Sequence, residues 1–225
     1  MTFSIIGHCP ETGMFGLAIS SSSPAVASRC AFARAGVGAV ATQNVTDPRL
    51  GPHALDLMAR GATAAEALAI LERSGEHMAW RQVLAVGRDG QSAIHSGARV
   101  LGQWSEAQDR DVAAAGNLLA DTAVPEAMVA AFRDSGGAAL GDRLIAALRA
   151  GLLAGGEAGP VHSAGLLLVD RHDWPLADLR IDWTTDCPVA ALTEAWGVFR
   201  SQMADYVTRA LDPGAAPSYA VPGDD

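Results

Sequence analysis

Lysine is absent from this chain: all 16 basic residues among its 225 are arginine. Arginine stays protonated in proteins and is a poor proton acceptor. Chemistry that runs through a lysine Schiff base, a lysine general base or a P-loop lysine is therefore excluded. Other familiar devices are missing as well. The three cysteines, Cys9, Cys30 and Cys187, form no CxxC pair and leave an odd count, which fits a reduced, cytoplasmic setting. The six histidines are scattered, with no HxH or HxxxH spacing, so no metal site is expected. Gly36 and Gly38 open a GxGxxG pattern that fails at Ala41, and no nucleophile elbow surrounds the run Ser20–Ser23. No cofactor is expected. Apolar runs stay short of the roughly 18 residues of a membrane span. The first residues carry no basic stretch and meet His8 and Glu11 early, against a secretory signal. A net charge of −9 argues against nucleic acid or an anionic membrane as partner, because both select a basic patch.

What is present suits one large core. Apolar residues make up 49% of the chain while aromatics supply only 5%, so the interior is built from small side chains and close backbones. The reading is one domain over residues 1–211 with a flexible Pro-, Gly- and Asp-containing tail over 212–225. Phe3–His8 and Met14–Ser20 flank a turn with Gly13 and predict a hairpin. A Pro-broken, small-residue connection follows, and then a buried strand over Gly36–Thr42. Helices are predicted from Pro52 to Arg60 and behind a capping box formed by Thr63 and Glu66. "RQVLAVGRDGQSAIHSG" predicts a second hairpin, and "DVAAAGN" a strand over Asp111–Asn117. Two helices, over Val124–Asp134 and Leu140–Leu152, precede a strand pair in "SAGLLLVD" and "LADLRIDW". One long helix is expected from Pro188 to Leu211. Strands come in hairpins and helices in consecutive pairs, which argues for antiparallel sheets with segregated helix layers rather than a βαβ sheet.

One chemical candidate survives these exclusions. The strand signal begins at Phe3, directly behind Thr2. If Met1 is removed, as is usual before a small residue, Thr2 becomes a free amino terminus carrying a hydroxyl. A terminal α-amine titrates near 8, so a usable fraction is neutral at physiological pH. It can serve as general base for its own hydroxyl.

The stretches "MTFSIIGHCPETGMFGLAISSS", "ARAGVGAVATQ", "GPHALDLMARGATAAEAL", "RQVLAV", "GNLLA" and "DLRID", taken in order, resemble the DUF1028 family over Thr2–Leu211. That group is related in fold to the N-terminal nucleophile (Ntn) hydrolases. The resemblance implies an α+β fold: a four-layer αββα sandwich of two antiparallel sheets with helix layers outside. Members commonly start with Thr or Ser after Met, as Thr2 does here, and Ser22 stands where many carry a lysine or histidine. With no lysine to tune the hydroxyl, Arg34 is the candidate source of positive charge. The expected activity is hydrolysis of a small non-peptide amide, with Thr2 as nucleophile. Asn117, at the end of a strand, is the expected oxyanion donor and Gln43 the second, with Ser20 and Ser22 as supporting hydroxyls. The alternative is an Ntn-fold protein without catalysis that binds a small ligand or serves in assembly. Kinship and composition together predict a homodimer or higher homo-oligomer, with a small molecule as the other partner.

Overall fold

In the first hairpin, apolar side chains alternate between two destinations, and this alternation organises the whole molecule. The computed structural model describes residues 1–221. It places β1 at Thr2–Cys9 and β2 at Met14–Ser21, turning through Gly13, whose φ of +75° suits a residue without a Cβ. The connection then holds a single helical turn, α1 (Ala27–Cys30), and a short strand, β3 (Ala31–Arg34), neither of which was predicted. β4 runs over Gly38–Asn44, shifted two residues from the predicted Gly36–Thr42 because Gly36 takes a positive φ in the preceding turn. Gly38 has no room for a side chain, since a Cβ there would stand 2.3 Å from the Val86 carbonyl oxygen.

α2 (Leu50–Ala59) starts two residues ahead of Pro52, and α3 (Ala64–Ser74) begins on the predicted capping box of Thr63 and Glu66. A 3₁₀ turn at Met78–Trp80 leads into the hairpin of β5 (Arg81–Gly87) and β6 (Ser92–Ser96). β7 (Ser105–Asp109) was not predicted; its polar residues form an edge strand beside β8 (Val112–Asn117). α4 (Val124–Asp134), α5 (Leu140–Leu153), β9 (Ser163–Val169) and β10 (Ala177–Ile181) follow as expected. The predicted long helix is two, α6 (Pro188–Arg200) and α7 (Met203–Leu211), broken at Ser201 and Gln202. Of the expected tail, residues 222–225 lie outside the described residues. In its described part the Pro217 carbonyl accepts from Arg209 at 3.0 Å, and the Arg209 guanidinium sits over the Tyr219 ring.

Every strand pairing is antiparallel. One sheet has the order β10-β9-β2-β1-β8-β7 and the other the order β3-β4-β5-β6. Three cores define four layers. Ile6, Leu17, Ile19, Ala39, Ala41, Leu84, Ala113 and Ala115 meet between the sheets. Phe3 and Ile5 point the other way, onto Phe132, Leu144 and Leu148 of α4 and α5, with Trp196 of α6 joining them. Val40, Val83 and Ala85 pack beneath Leu55, Leu68 and Leu71 of α2 and α3. The result is an αββα sandwich, and its small inner alanines explain how a chain poor in aromatics fills its centre.

Candidate active site

At one end of the sandwich the inward-facing columns change from apolar to polar. Successive residues of a strand point to opposite faces. Ile6 faces the other sheet, so Ser4 and Thr2 do as well; Leu17 and Ile19 lead to Ser21 in the same way. Ala113 and Ala115 lead to Asn117, Ala39 and Ala41 to Gln43, and Leu84 to Gln82. All six polar residues are buried, Thr2 being 6% exposed and the others fully covered. β1 lies between β2 and β8, so Thr2 stands at the end of a central strand, with Asn117 as its cross-strand partner.

Buried polar groups must be hydrogen-bonded or they destabilise the fold, and here they bond to one another. Ser4 donates to Gln43 Oε1 at 2.7 Å. Gln43 Nε2 donates to Gln82 Oε1 at 2.8 Å and to the Ala115 carbonyl at 3.1 Å. Gln82 Nε2 in turn donates to Ser96 Oγ at 3.1 Å and to the Gly116 carbonyl at 3.4 Å. Asn117 Nδ2 donates to Gln82 Oε1 at 3.3 Å, while Asn117 Oδ1 has no partner among the described residues. The Thr2 hydroxyl lies 3.3 Å from that of Ser21, and both hydroxyls donate to the Met1 carbonyl. Ser21 Oγ also accepts from the Ser23 N–H at 3.0 Å.

A carboxylate completes the cluster. Glu157 is 5% exposed in the loop after α5, and its two oxygens accept from the Ser22 N–H at 3.1 and 3.2 Å. Burial pushes its carboxyl up to about 7, against the opposing pull of the chain's amino terminus and of the Ser22 bond. The loop is held by a bridge between Glu157 and Leu119, and by Leu118, which has a φ of +51° and accepts from Ala158 N–H.

The structure thus brings Thr2, Asn117, Gln43 and the backbone of Ser22 to one place. Ser20 is not in it: its side chain shares the face of Ala18, on the helix side of the sheet, and donates to the Ser163 carbonyl. Arg34 is not in it either. It pairs with Gly38, at the far end of β4 from Gln43, where its exposed guanidinium binds Asp56 at 2.8 Å. The expected donor Asn117 turns its Nδ2 to Gln82, and Gln43 is likewise occupied within the network. Ser4, Ser21, Gln82 and Glu157 were not foreseen. Strand alternation carried forward from Ile6 and Leu17 would have found Ser4 and Ser21. Nothing local in "AGGEAGP" distinguishes Glu157 from a loop carboxylate.

The DUF1028 profile, a family of unknown function, matches residues 2–192. The chain belongs to DUF1028. A crystal structure of a DUF1028 protein from Silicibacter pomeroyi is similar to it at a TM-score of 0.82 and 28% identity, covering 91% of this chain and 89% of that one. A lesser similarity is to Anbu (ancestral β-subunit) from Yersinia bercovieri, with a TM-score of 0.44 and 11% identity over 89% of this chain and 96% of that one. No curated protein matches. The site of this DUF1028 chain is therefore read from its own geometry. Among its described residues no helix is long and apolar enough to cross a membrane.

Proposed function

We propose that this protein is an N-terminal nucleophile amidohydrolase that acts on a small, non-peptide amide once Met1 has been removed. The observation that carries the reading is the position of the Thr2 hydroxyl. It is buried between two sheets at a strand terminus, beside the Ser21 hydroxyl and across from Asn117.

In this reading the Thr2 amine takes the hydroxyl proton as Oγ bonds to the substrate carbonyl carbon. The C–N bond then breaks, and the leaving nitrogen receives that proton. Water attacks the resulting ester and releases the acid. Ser21 is the better oxyanion donor, because its hydroxyl is freed when the Met1 carbonyl departs, whereas Asn117 Nδ2 is held by Gln82. Removing one such donor typically lowers kcat by about 10²–10³. Glu157, held through the Ser22 N–H and poised near neutrality, can exchange protons at this end of the site, but as a negative charge it does not replace the missing lysine.

The test is a hydrolysis screen on small amides with the intact protein and with Thr2→Ala. Turnover that disappears in Thr2→Ala supports the assignment; equal turnover in both removes it. A mature chain that keeps Met1 and binds amides without cleaving them would favour the ligand-binding alternative.

A further inference from the structure

Asn117 ends the polar network in a way that specifies what it can offer. Amide groups are oriented by the partners around them. The carbonyls of Ala115 and Gly116 only accept, so Gln43 and Gln82 must both turn their nitrogens toward the backbone of β8. Gln82 Oε1 is then left to receive hydrogen bonds, and it takes one from Gln43 and one from Asn117 Nδ2. Asn117 is fully buried, yet its Oδ1 has no partner among the described residues. A buried acceptor left unpaired is costly, and it is satisfied when a ligand supplies a donor. This oxygen belongs to the residue directly across from Thr2, on the same face. Side chains paired in this way have Cβ atoms about 4.5–5.5 Å apart, close enough for one small group to meet both.

Three exposed apolar side chains stand at this end of the sandwich, together with Arg81, whose guanidinium donates to the Val45 carbonyl. Val45, Leu101 and Trp183 are 43%, 39% and 56% exposed. Each is tied to a strand of the site. Val45 follows Asn44, the last residue of β4. Leu101 receives a bond from Leu118 N–H and donates to Asn44 Oδ1. Trp183 stacks at 4.4 Å on the ring of His162, whose backbone N–H donates to the Ser21 carbonyl.

We propose that Asn117 Oδ1 accepts the N–H of the scissile amide, so that the site takes primary or secondary carboxamides with an apolar acyl group and discriminates against the corresponding esters. This rests on the reading of Thr2 as nucleophile. Holding the N–H turns the nitrogen lone pair toward the Thr2 ammonium, which delivers the proton as the C–N bond breaks. The Thr2 amine itself is the competing claimant for Oδ1, and the two possibilities differ in outcome.

The experiment uses two probes with one acyl group: 3-phenylpropionyl-4-nitroanilide, which has an N–H, and 4-nitrophenyl 3-phenylpropionate, which has none. Asn117→Ala should slow nitroaniline release at least about tenfold more than nitrophenol release, the penalty typical of a site that loses a hydrogen bond to its substrate. Equal slowing of both would assign Oδ1 to the amine and overturn the inference, leaving Thr2 as nucleophile. Failure of both probes to acylate Thr2 in the parent protein would remove the nucleophile reading and this inference with it. A second measurement does not depend on the folding of the Asn117 variant. The Thr2→Ala protein should bind 3-phenylpropionamide at least about tenfold more tightly than methyl 3-phenylpropionate; equal affinity contradicts the proposal.

Discussion

Ser21, not Ser20, lies beside Thr2: its Oγ is 3.3 Å from the threonine hydroxyl, while Ser20 points into the opposite core. In the proposed mechanism Ser21 acts on the developing oxyanion. Ser21→Ala should therefore lower kcat by about 10²-fold with a smaller change in KM. Ser20→Ala should leave the ratio of the two unchanged. Steady-state kinetics on an amide that the parent protein cleaves would check both.

Thr2→Ser keeps hydroxyl and amine and should retain part of the turnover, whereas Thr2→Ala should retain none. Thr2 sits at a strand end, so losing its hydroxyl should cost only about 1 kcal/mol of stability. Thermal unfolding of the two variants, run beside activity, separates a lost nucleophile from a lost fold.

Glu157 makes stability depend on pH. Its carboxyl rises from 4.5 in the unfolded chain to about 7 in the native one. Between these values the native state binds more protons than the unfolded state, so its contribution is fully present below about pH 4.5 and is lost as pH rises through 7. The shift corresponds to at most about 3 kcal/mol at 1.36 kcal/mol per unit. Glu157→Gln keeps an acceptor for the Ser22 N–H and removes the titration. It should flatten the denaturation midpoint between pH 5 and 8 and raise stability at pH 8. A midpoint with the parent's pH dependence would count against this assignment.

Arg34 is an exposed partner of Asp56 at the other end of its sheet. Such surface pairs contribute about 0–1 kcal/mol, and Arg34→Ala should leave turnover within about twofold. A large loss of kcat would require a path from that end to Thr2.

The layers were legible because their signals are local. Alternation marked the hairpins, and the capping box of Thr63 and Glu66 marked the start of α3. β3 and β7 were not legible: the one is short and the other polar, and both are held by pairing with neighbours rather than by any pattern of their own. The site divides similarly. Thr2 was visible from its place before a strand, and Asn117 and Gln43 from theirs at strand ends. Gln82 and Glu157 become site residues only when β5 and the loop after α5 are folded against β8 and β2. The amide orientation that leaves Asn117 Oδ1 without a partner among the described residues is set by two backbone carbonyls that no sequence pattern announces.

Self-association, expected from composition and kinship, has a location to examine. Val198, Tyr206 and Leu211 of α6 and α7 are 61%, 42% and 59% exposed. A dimeric mass by light scattering that becomes monomeric in Val198→Asp would place the contact there, and a monomeric parent protein would remove the expectation.

The central claim is that Thr2 is a terminal nucleophile, and intact-mass spectrometry followed by peptide mapping tests it most directly. In samples acid-quenched during turnover of 4-nitrophenyl 3-phenylpropionate, the account predicts a chain lacking Met1 that carries one acyl group on Thr2, and none in Thr2→Ala. A chain that retains Met1, or an adduct of the same size in Thr2→Ala, would contradict it.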